Sequence, residues 1–286
     1  MTSRRFRYTL LDVFTDTALA GNALAVVHDA DGLDDDTMLR LARETRLSET
    51  TFVQRALDGF ADYRNRIWTV AGEVPFAGHP SLGTAVAVAL ARGESQARYQ
   101  QQTGVGMQRV DVERDGARAH ASMTQSEASF GDEADPAEAL ATLGLAASDQ
   151  HPDLPPQVVS TGLPTLIVPV SKDDSITRAT PDLAAVQALL ARLGAESLYL
   201  AWPDPAGEHV HARMFSSLVL GGEDPATGSA AGPLCAYLSQ RLDWSRIAVR
   251  QGAEIGRPSL IEAEMSADGV RVGGDVVVLV DGMLTL

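Results

Sequence analysis

Two short stretches carry the residues best suited to chemistry. GEVPFAGHPSLGTAVAVAL (residues 72–90) and GGEDPATGSAAGPLCAYL (residues 221–238) share one grammar: an acid, a proline, a Gly-containing turn, then small residues opening a helical pattern. A helix N-terminus offers unpaired backbone N–H groups and partial positive charge, and residues without bulk let an anion approach them. Thr227, Gly228 and Ser229 therefore suit a carboxylate. The same small residues would equally serve tight helix packing with no ligand at all. The second stretch is no P-loop, because no Gly-Lys-Ser/Thr follows, and GxGxxG is absent from the chain, so nucleotide binding loses its main support. Two similar devices in one chain point to two halves serving one site.

Three titratable residues stand near these turns. Asp224, with Glu223, directly precedes the second helical pattern, where an acid also serves as a helix cap. Glu49, in LSETTFVQ, is either a base or a solvated acid at a strand end. His79 beside the first helix start is an acid–base group, a cap or a surface histidine. Taken together they supply an acid–base group, a second acid and a donor, which is what moving a proton next to a carboxylate requires. His209 and His211 alternate along a strand and so share a face, a spacing that can chelate. No further ligand follows at a recognisable spacing, so they read as exposed strand histidines and no metal is expected.

The composition narrows the function classes. Lys plus Arg is 23 against 38 for Asp plus Glu, a net charge of -15, with no basic block, which excludes a nucleic-acid partner. An anionic substrate must then be met by local donors. Cys235 is the only cysteine, so a disulfide framework, a thiolate metal cluster and a cysteine pair are all excluded. In MTSRRFRYTLLDVF the apolar run that follows the basic residues is interrupted by Asp12 and, two residues beyond the stretch, by Asp16, so it reads as a strand, not a signal peptide. No stretch approaches the ~18 uninterrupted apolar residues of a membrane span. A cytoplasmic protein without a membrane partner is expected.

The elements that must position these residues follow from pattern. RYTLLDVF and NALAVVHD read as strands joined around Gly21 and Asn22. The acidic run Asp34–Asp36 opens a helix ending near residues 44–46, and Glu49 then lies at the mouth of a strand. YRNRIWTV is another strand. Pro80 sits where a first helical residue belongs, and Leu82, Ala85, Val86, Ala89 and Leu90 continue a buried helix to Gly93. A hairpin turns at Asp115-Gly116, and the polar TQSEASFGDEADP reads as a crossing between domains. The second half runs through helix DPAEALATLGL, strand PQVVSTGLPTLIVPV, helix TPDLAAVQALLARLG, strands SLYLAWP and HVHARMFS, the second turn with its helix, then strands RIAVRQG, SLIEAEMSADGVRVGG and DVVVLVDGMLTL. The pattern is mixed α+β with much antiparallel pairing, and a Rossmann sheet is disfavoured. At 286 residues two domains are expected.

LSETTFV, EVPFAGHPSLGTA, RMFS, EDPATGSAAGPL and QGAEIGRPSL, in this order, resemble the PhzF phenazine-biosynthesis family, which shares its fold with diaminopimelate epimerase and proline racemase. The resemblance implies two similar α+β domains, each a curved mixed or antiparallel sheet wrapped around a central helix, with the site between them. Residues 1–124 form the first and 125–275 the second, with strand 276–286 a candidate to pack back onto the first. It implies isomerisation of trans-2,3-dihydro-3-hydroxyanthranilate, a proton moving from carbon three to carbon one without metal or organic cofactor. The proton carrier falls on Glu49, the other catalytic residues on His79 and Asp224, and the carboxylate-binding turn residues on Gly78, Gly228 and Ser229. A small anionic carboxylate is the implied substrate and a homodimer the implied assembly. Another isomerase or epimerase of this fold, or a binding protein that lost its chemistry, are the competing readings. GNALAV departs from the proline that many members carry after the asparagine, and touches nothing catalytic.

Overall fold

The computed structural model describes residues 4–57 and 59–286; residues 1–3, with which the first expected domain begins, lie outside the described residues. The chain divides into two compact units, Met1–Met123 with Gly273–Leu286, and Thr124–Val272.

In the first unit β1 (Arg5–Val13) pairs antiparallel with β2 (Asn22–Val27). The loop between them ends at Gly21, at φ 63, where an added Cβ would lie 2.4 Å from the Val13 carbonyl oxygen. Helix α1 (Asp35–Thr45) then crosses to β3 (Glu49–Gln54), parallel to β2. Asp34 caps it by accepting from the Thr37 N–H at 2.8 Å, and Arg46 ends it in the left-handed region. Strand β4 (Tyr63–Trp68) pairs antiparallel with β3 and with the two-residue β5 (Glu73–Val74). Helix α2 (Gly78–Arg92) carries the chain over to β6 (Gln96–Thr103), parallel to β4, and β7 (Gly106–Asp115) and β8 (Arg118–Gln125) follow antiparallel.

The second unit repeats this order. After β9 (Ser129–Glu133) and α3 (Pro136–Ala141), β10 (Gln157–Ser160) and β11 (Pro164–Pro169) form a hairpin. Helices α4 (Asp173–Arg178) and α5 (Leu183–Leu193) cross to β12 (Ser197–Pro203), parallel to β11. Strand β13 (His209–Phe215) pairs antiparallel with β12 and with the two-residue β14 (Glu223–Asp224), and α6 (Gly228–Leu242) crosses to β15 (Arg246–Gln251), parallel to β13. Strand β16 (Ser259–Ser266) follows antiparallel, and β17 (Gly269–Thr285) ends the chain, its last half paired with β1.

Each unit is thus a mixed sheet around one helix. Helix α2 packs on β1, β2, β3, β4, β6 and β7, and is buried from Gly78 to Ala89 because it is apolar on nearly all sides, the Ser81 hydroxyl bonding the Ala77 carbonyl and that of Thr84 meeting the Thr51 hydroxyl. Gly83 permits that approach: a Cβ there would come within 2.6–2.9 Å of Leu24, Leu11 and Val13. Helix α6 packs on β10, β11, β15 and β16.

Four local expectations change. Helix α2 starts at Gly78, two residues before Pro80, so the proline is the third helical residue, still inside the first turn where its missing N–H costs nothing. TQSEASFGDEADP contains β9, a fully exposed strand whose polar composition hides it. PQVVSTGLPTLIVPV is two strands, turned at Gly162 with φ 144. SLIEAEMSADGVRVGG is split into β16 and the start of β17, which runs on through DVVVLVDGMLT; in β17 Gly273 packs so closely on β8 that a Cβ would lie 2.8 Å from the Ala121 carbonyl.

Candidate functional site

Glu49 opens β3, in register with Leu24 of β2, and His79 is the second residue of α2. The two side chains meet: Glu49 Oε2 lies 3.4 Å from His79 Nε2, with only 15 % and 7 % of the respective side chains exposed. His79 Nε2 is buried and makes no hydrogen bond among the described residues. Burial pushes the His79 imidazole down to about 3, so the ring is neutral at neutral pH and the contact is not one between opposite charges. A buried ring nitrogen left this way is costly, and such costs are accepted where a ligand or a moving proton uses the atom. Gly78 precedes His79 at the helix start. Ala77, the cap position, has no side-chain acceptor for the N–H groups of the first turn, and no acid lies within that turn.

In the second unit Asp224 and Glu223 form β14. Glu223 is taken by Arg213, whose Nε and Nη2 each donate at 2.8 Å to one of its two oxygens. Asp224 is buried, and its Oδ2 accepts from the Thr227 hydroxyl at 2.6 Å. The cap position of α6 is Thr227, not Asp224, and its hydroxyl is turned away from the helix amides. Gly228 and Ser229 therefore open a helix with neither a side-chain cap nor an acid in its first turn, which is the condition for receiving a carboxylate from outside. The Gly228 carbonyl is anchored by Gln125 Nε2 at 2.9 Å. Pro233 lacks the N–H that would bond the Ser229 carbonyl.

The expected site residues thus form two groups: Glu49, Gly78 and His79 in the first unit, and Asp224, Gly228 and Ser229 in the second. Of the three turn residues expected to suit a carboxylate, Thr227 already has its hydroxyl on Asp224 and its N–H on Gln251 Oε1. His209 is exposed, whereas His211 is not the exposed strand histidine expected: Asp173 Oδ1 lies 2.6 Å from Nδ1 and Glu254 Oε1 2.9 Å from Nε2. Burial lowers its pKa, but hydrogen bonds to Glu254 and Asp173 outweigh this and raise it. Among the described residues no group of three or more His, Cys, Asp or Glu side chains is arranged to hold a metal ion. Cys235 is buried inside α6. No described helix is long and apolar enough to cross a membrane.

With this geometry in place, the likeness to known proteins can be read. Residues 11–282 match the family model of the phenazine biosynthesis-like proteins. A trans-2,3-dihydro-3-hydroxyanthranilate isomerase of Pseudomonas aeruginosa is 38% identical over 271 residues, covering 93% of this chain and 92% of that protein. The solved structure of a predicted epimerase from Pseudomonas aeruginosa matches with a TM-score of 0.85 at 37% identity, over 98% of this chain and 99% of that one. A hydroxyproline epimerase from Agrobacterium vitis, 11% identical, has a TM-score of 0.67 over 99% of this chain and 93% of its own, a likeness of fold alone.

Proposed function

The chain belongs to the phenazine biosynthesis-like (PhzF) family, and on that footing we propose that it is an isomerase of trans-2,3-dihydro-3-hydroxyanthranilate that moves one proton without metal or organic cofactor. The observation that supports this most is the Glu49–His79 contact: an acid at a strand mouth, shielded from water, beside a neutral imidazole whose facing nitrogen makes no hydrogen bond. In this reading a Glu49 oxygen takes the proton from carbon three. The electron pair left behind shifts through the ring's unsaturation, and Glu49 returns the proton to carbon one. His79, neutral throughout, gives or takes a hydrogen bond as Glu49 changes protonation. Asp224 holds the amino or hydroxyl group. The amides opening α6 at Gly228 and Ser229 hold the substrate carboxylate and so orient the ring, and Gly78 at the start of α2 is a further binding residue. A homodimer belongs to the same reading, symmetric pairs being the commonest assembly.

The test is to incubate the purified chain with trans-2,3-dihydro-3-hydroxyanthranilate and follow loss of its ultraviolet absorbance. Turnover supports the assignment, and a folded but inactive protein removes this substrate from it. Light scattering should give twice the chain mass, against a single-chain mass if the assembly claim is wrong.

A further inference from the structure

The stretch QGAEIGRPSL contributes its first residue, Gln251, to a buried polar ladder that ends on Asp224. We propose that Gln251 and Thr227 are positioning residues for the reaction: together they lock the turn from β14 to α6 and oblige the Thr227 hydroxyl to donate to Asp224. The proposal rests on the assignment of Asp224 and the Gly228 and Ser229 amides to that reaction.

Gln251 closes β15 and is 1% exposed. Its Oε1 accepts from the Tyr199 hydroxyl at 2.8 Å and from the Thr227 N–H at 3.2 Å. Its Nε2 donates to the Asp224 carbonyl at 2.7 Å and to Thr227 Oγ1 at 3.0 Å. The orientation of this amide is dictated by the backbone, since an N–H only donates and a carbonyl only accepts. All four of its hydrogen-bonding positions are thereby used. Because Nε2 occupies a lone pair of the Thr227 hydroxyl, the single hydroxyl proton is directed to Asp224 Oδ2, 2.6 Å away. The ladder therefore has one polarity, running from Gln251 through Thr227 to the carboxylate. The backbone behind it is tight: Ser259 Oγ lies 3.1 Å from the Pro225 carbonyl and 3.0 Å from that of Gln251 and shares its one proton between them, and Gly252, at φ 81, would place a Cβ 2.4 Å from the Pro225 carbonyl oxygen.

The first unit provides an internal control. Arg66 grips Glu73 as Arg213 grips Glu223, and the β4–β5 and β13–β14 registers match, so Val74 stands where Asp224 does and Ala77 where Thr227 does. Gly104, whose Cβ would lie 2.7 Å from Pro75 Cα, corresponds to Gly252, which puts Thr103 in the place of Gln251. Thr103 Oγ1 donates to the Gly106 carbonyl at 3.1 Å, within its own turn. Where the turn carries neither acid nor hydroxyl, the glutamine is absent too. A glutamine needed only to seal a strand-to-helix corner would be wanted in both units.

Thr227→Val removes the hydroxyl at constant shape, Thr227→Ser restores it, and Gln251→Met removes the amide. Two quantities are read on the full chain, with thermal unfolding confirming that each variant is folded: the ¹³C resonance of the Asp224 carboxyl carbon without substrate, and kcat on trans-2,3-dihydro-3-hydroxyanthranilate. The resonance should move in Thr227→Val and Gln251→Met and return toward the wild-type position in Thr227→Ser. In the first two, kcat should fall roughly tenfold or more, the scale of a lost hydrogen bond to a charged group, and Thr227→Ser should regain most of it. An unmoved resonance, or a kcat within about threefold of wild type in Thr227→Val, overturns the proposal. Should Gln251→Met not fold, the valine and serine variants decide it. A wild type inactive on this substrate leaves the resonance to decide the ladder, and only the functional reading is lost.

Discussion

Glu49 Oε2 and His79 Nε2 are brought within 3.4 Å of one another by different elements, the first residue of β3 and the second of α2. Neither position is adjustable. Glu49 is held by the β2–β3 register, and α2 is seated on the sheet by the missing side chain of Gly83. The pair is thus a fixed acid–imidazole contact with little access to water, and a proton accepted there has few routes of exchange.

That seclusion should be visible in isotope transfer. A substrate deuterated at carbon three and converted in ordinary water should carry part of its label to carbon one. Complete washout at every pH and substrate concentration would mean a base open to solvent.

Buried histidines should make stability depend on pH. Burial, assisted by Arg7, pushes His28 down to about 4, and burial alone pushes His79 to about 3. Between these values and about 6.5 the unfolded chain binds more protons than the native one, so stability should rise with pH across that window and level off above it. Each group contributes up to about 1.4 kcal/mol per pH unit. His211, whose pKa is raised, acts in the opposite sense, and its contribution is lost as pH climbs through its own value. Urea unfolding at pH 5 and pH 7 should show the loss at pH 5, with a shallower dependence in His28→Gln. Equal stability at both pH values would contradict the burial argument.

Arg213 lies over the Phe215 ring at 4.9 Å and holds the Ile176 and Ala179 carbonyls as well as Glu223. Removing it strands a largely buried carboxylate. Arg213→Met should cost about 3–5 kcal/mol, and adding Glu223→Leu should return a good part of that. Chemical denaturation of the three proteins checks it, and a double variant less stable than the single one would be the contrary result.

Cys235 should take no part in chemistry. Burial pushes its thiol up to about 12, so little thiolate exists at working pH. The native protein should resist iodoacetamide at pH 8 and react once unfolded, and Cys235→Ala should keep kcat within a few-fold. Rapid alkylation accompanied by inactivation would reopen a cysteine mechanism.

Legibility in the sequence followed range. The acidic run before α1, Glu49 at a strand mouth and Gly93 at the end of α2 are local signals, and the structure carries all three. The helix start at Gly78 was displaced to Pro80 because proline tolerates several first-turn positions. Strand β9 went unseen because both its faces are exposed and it has no apolar alternation to show. His211 departs from an exposed strand histidine because its partners, Asp173 and Glu254, stand on α4 and in the turn after β15, far away in sequence. Gln251 opens QGAEIGRPSL, yet nothing in its neighbours reveals that its amide reaches the turn before α6. Side-chain pairings made by tertiary contact leave no periodic trace.

The most direct measurement is the turnover of Glu49→Gln on trans-2,3-dihydro-3-hydroxyanthranilate, compared with wild type in the same folded state. The substitution keeps the size of the side chain and a hydrogen-bonding group facing His79 while removing the base. If Glu49 carries the proton, kcat should fall by roughly 10²–10⁴ or more, while substrate binding, assigned to the amides at Gly228 and Ser229, survives. A Glu49→Gln protein that retains wild-type kcat contradicts the account.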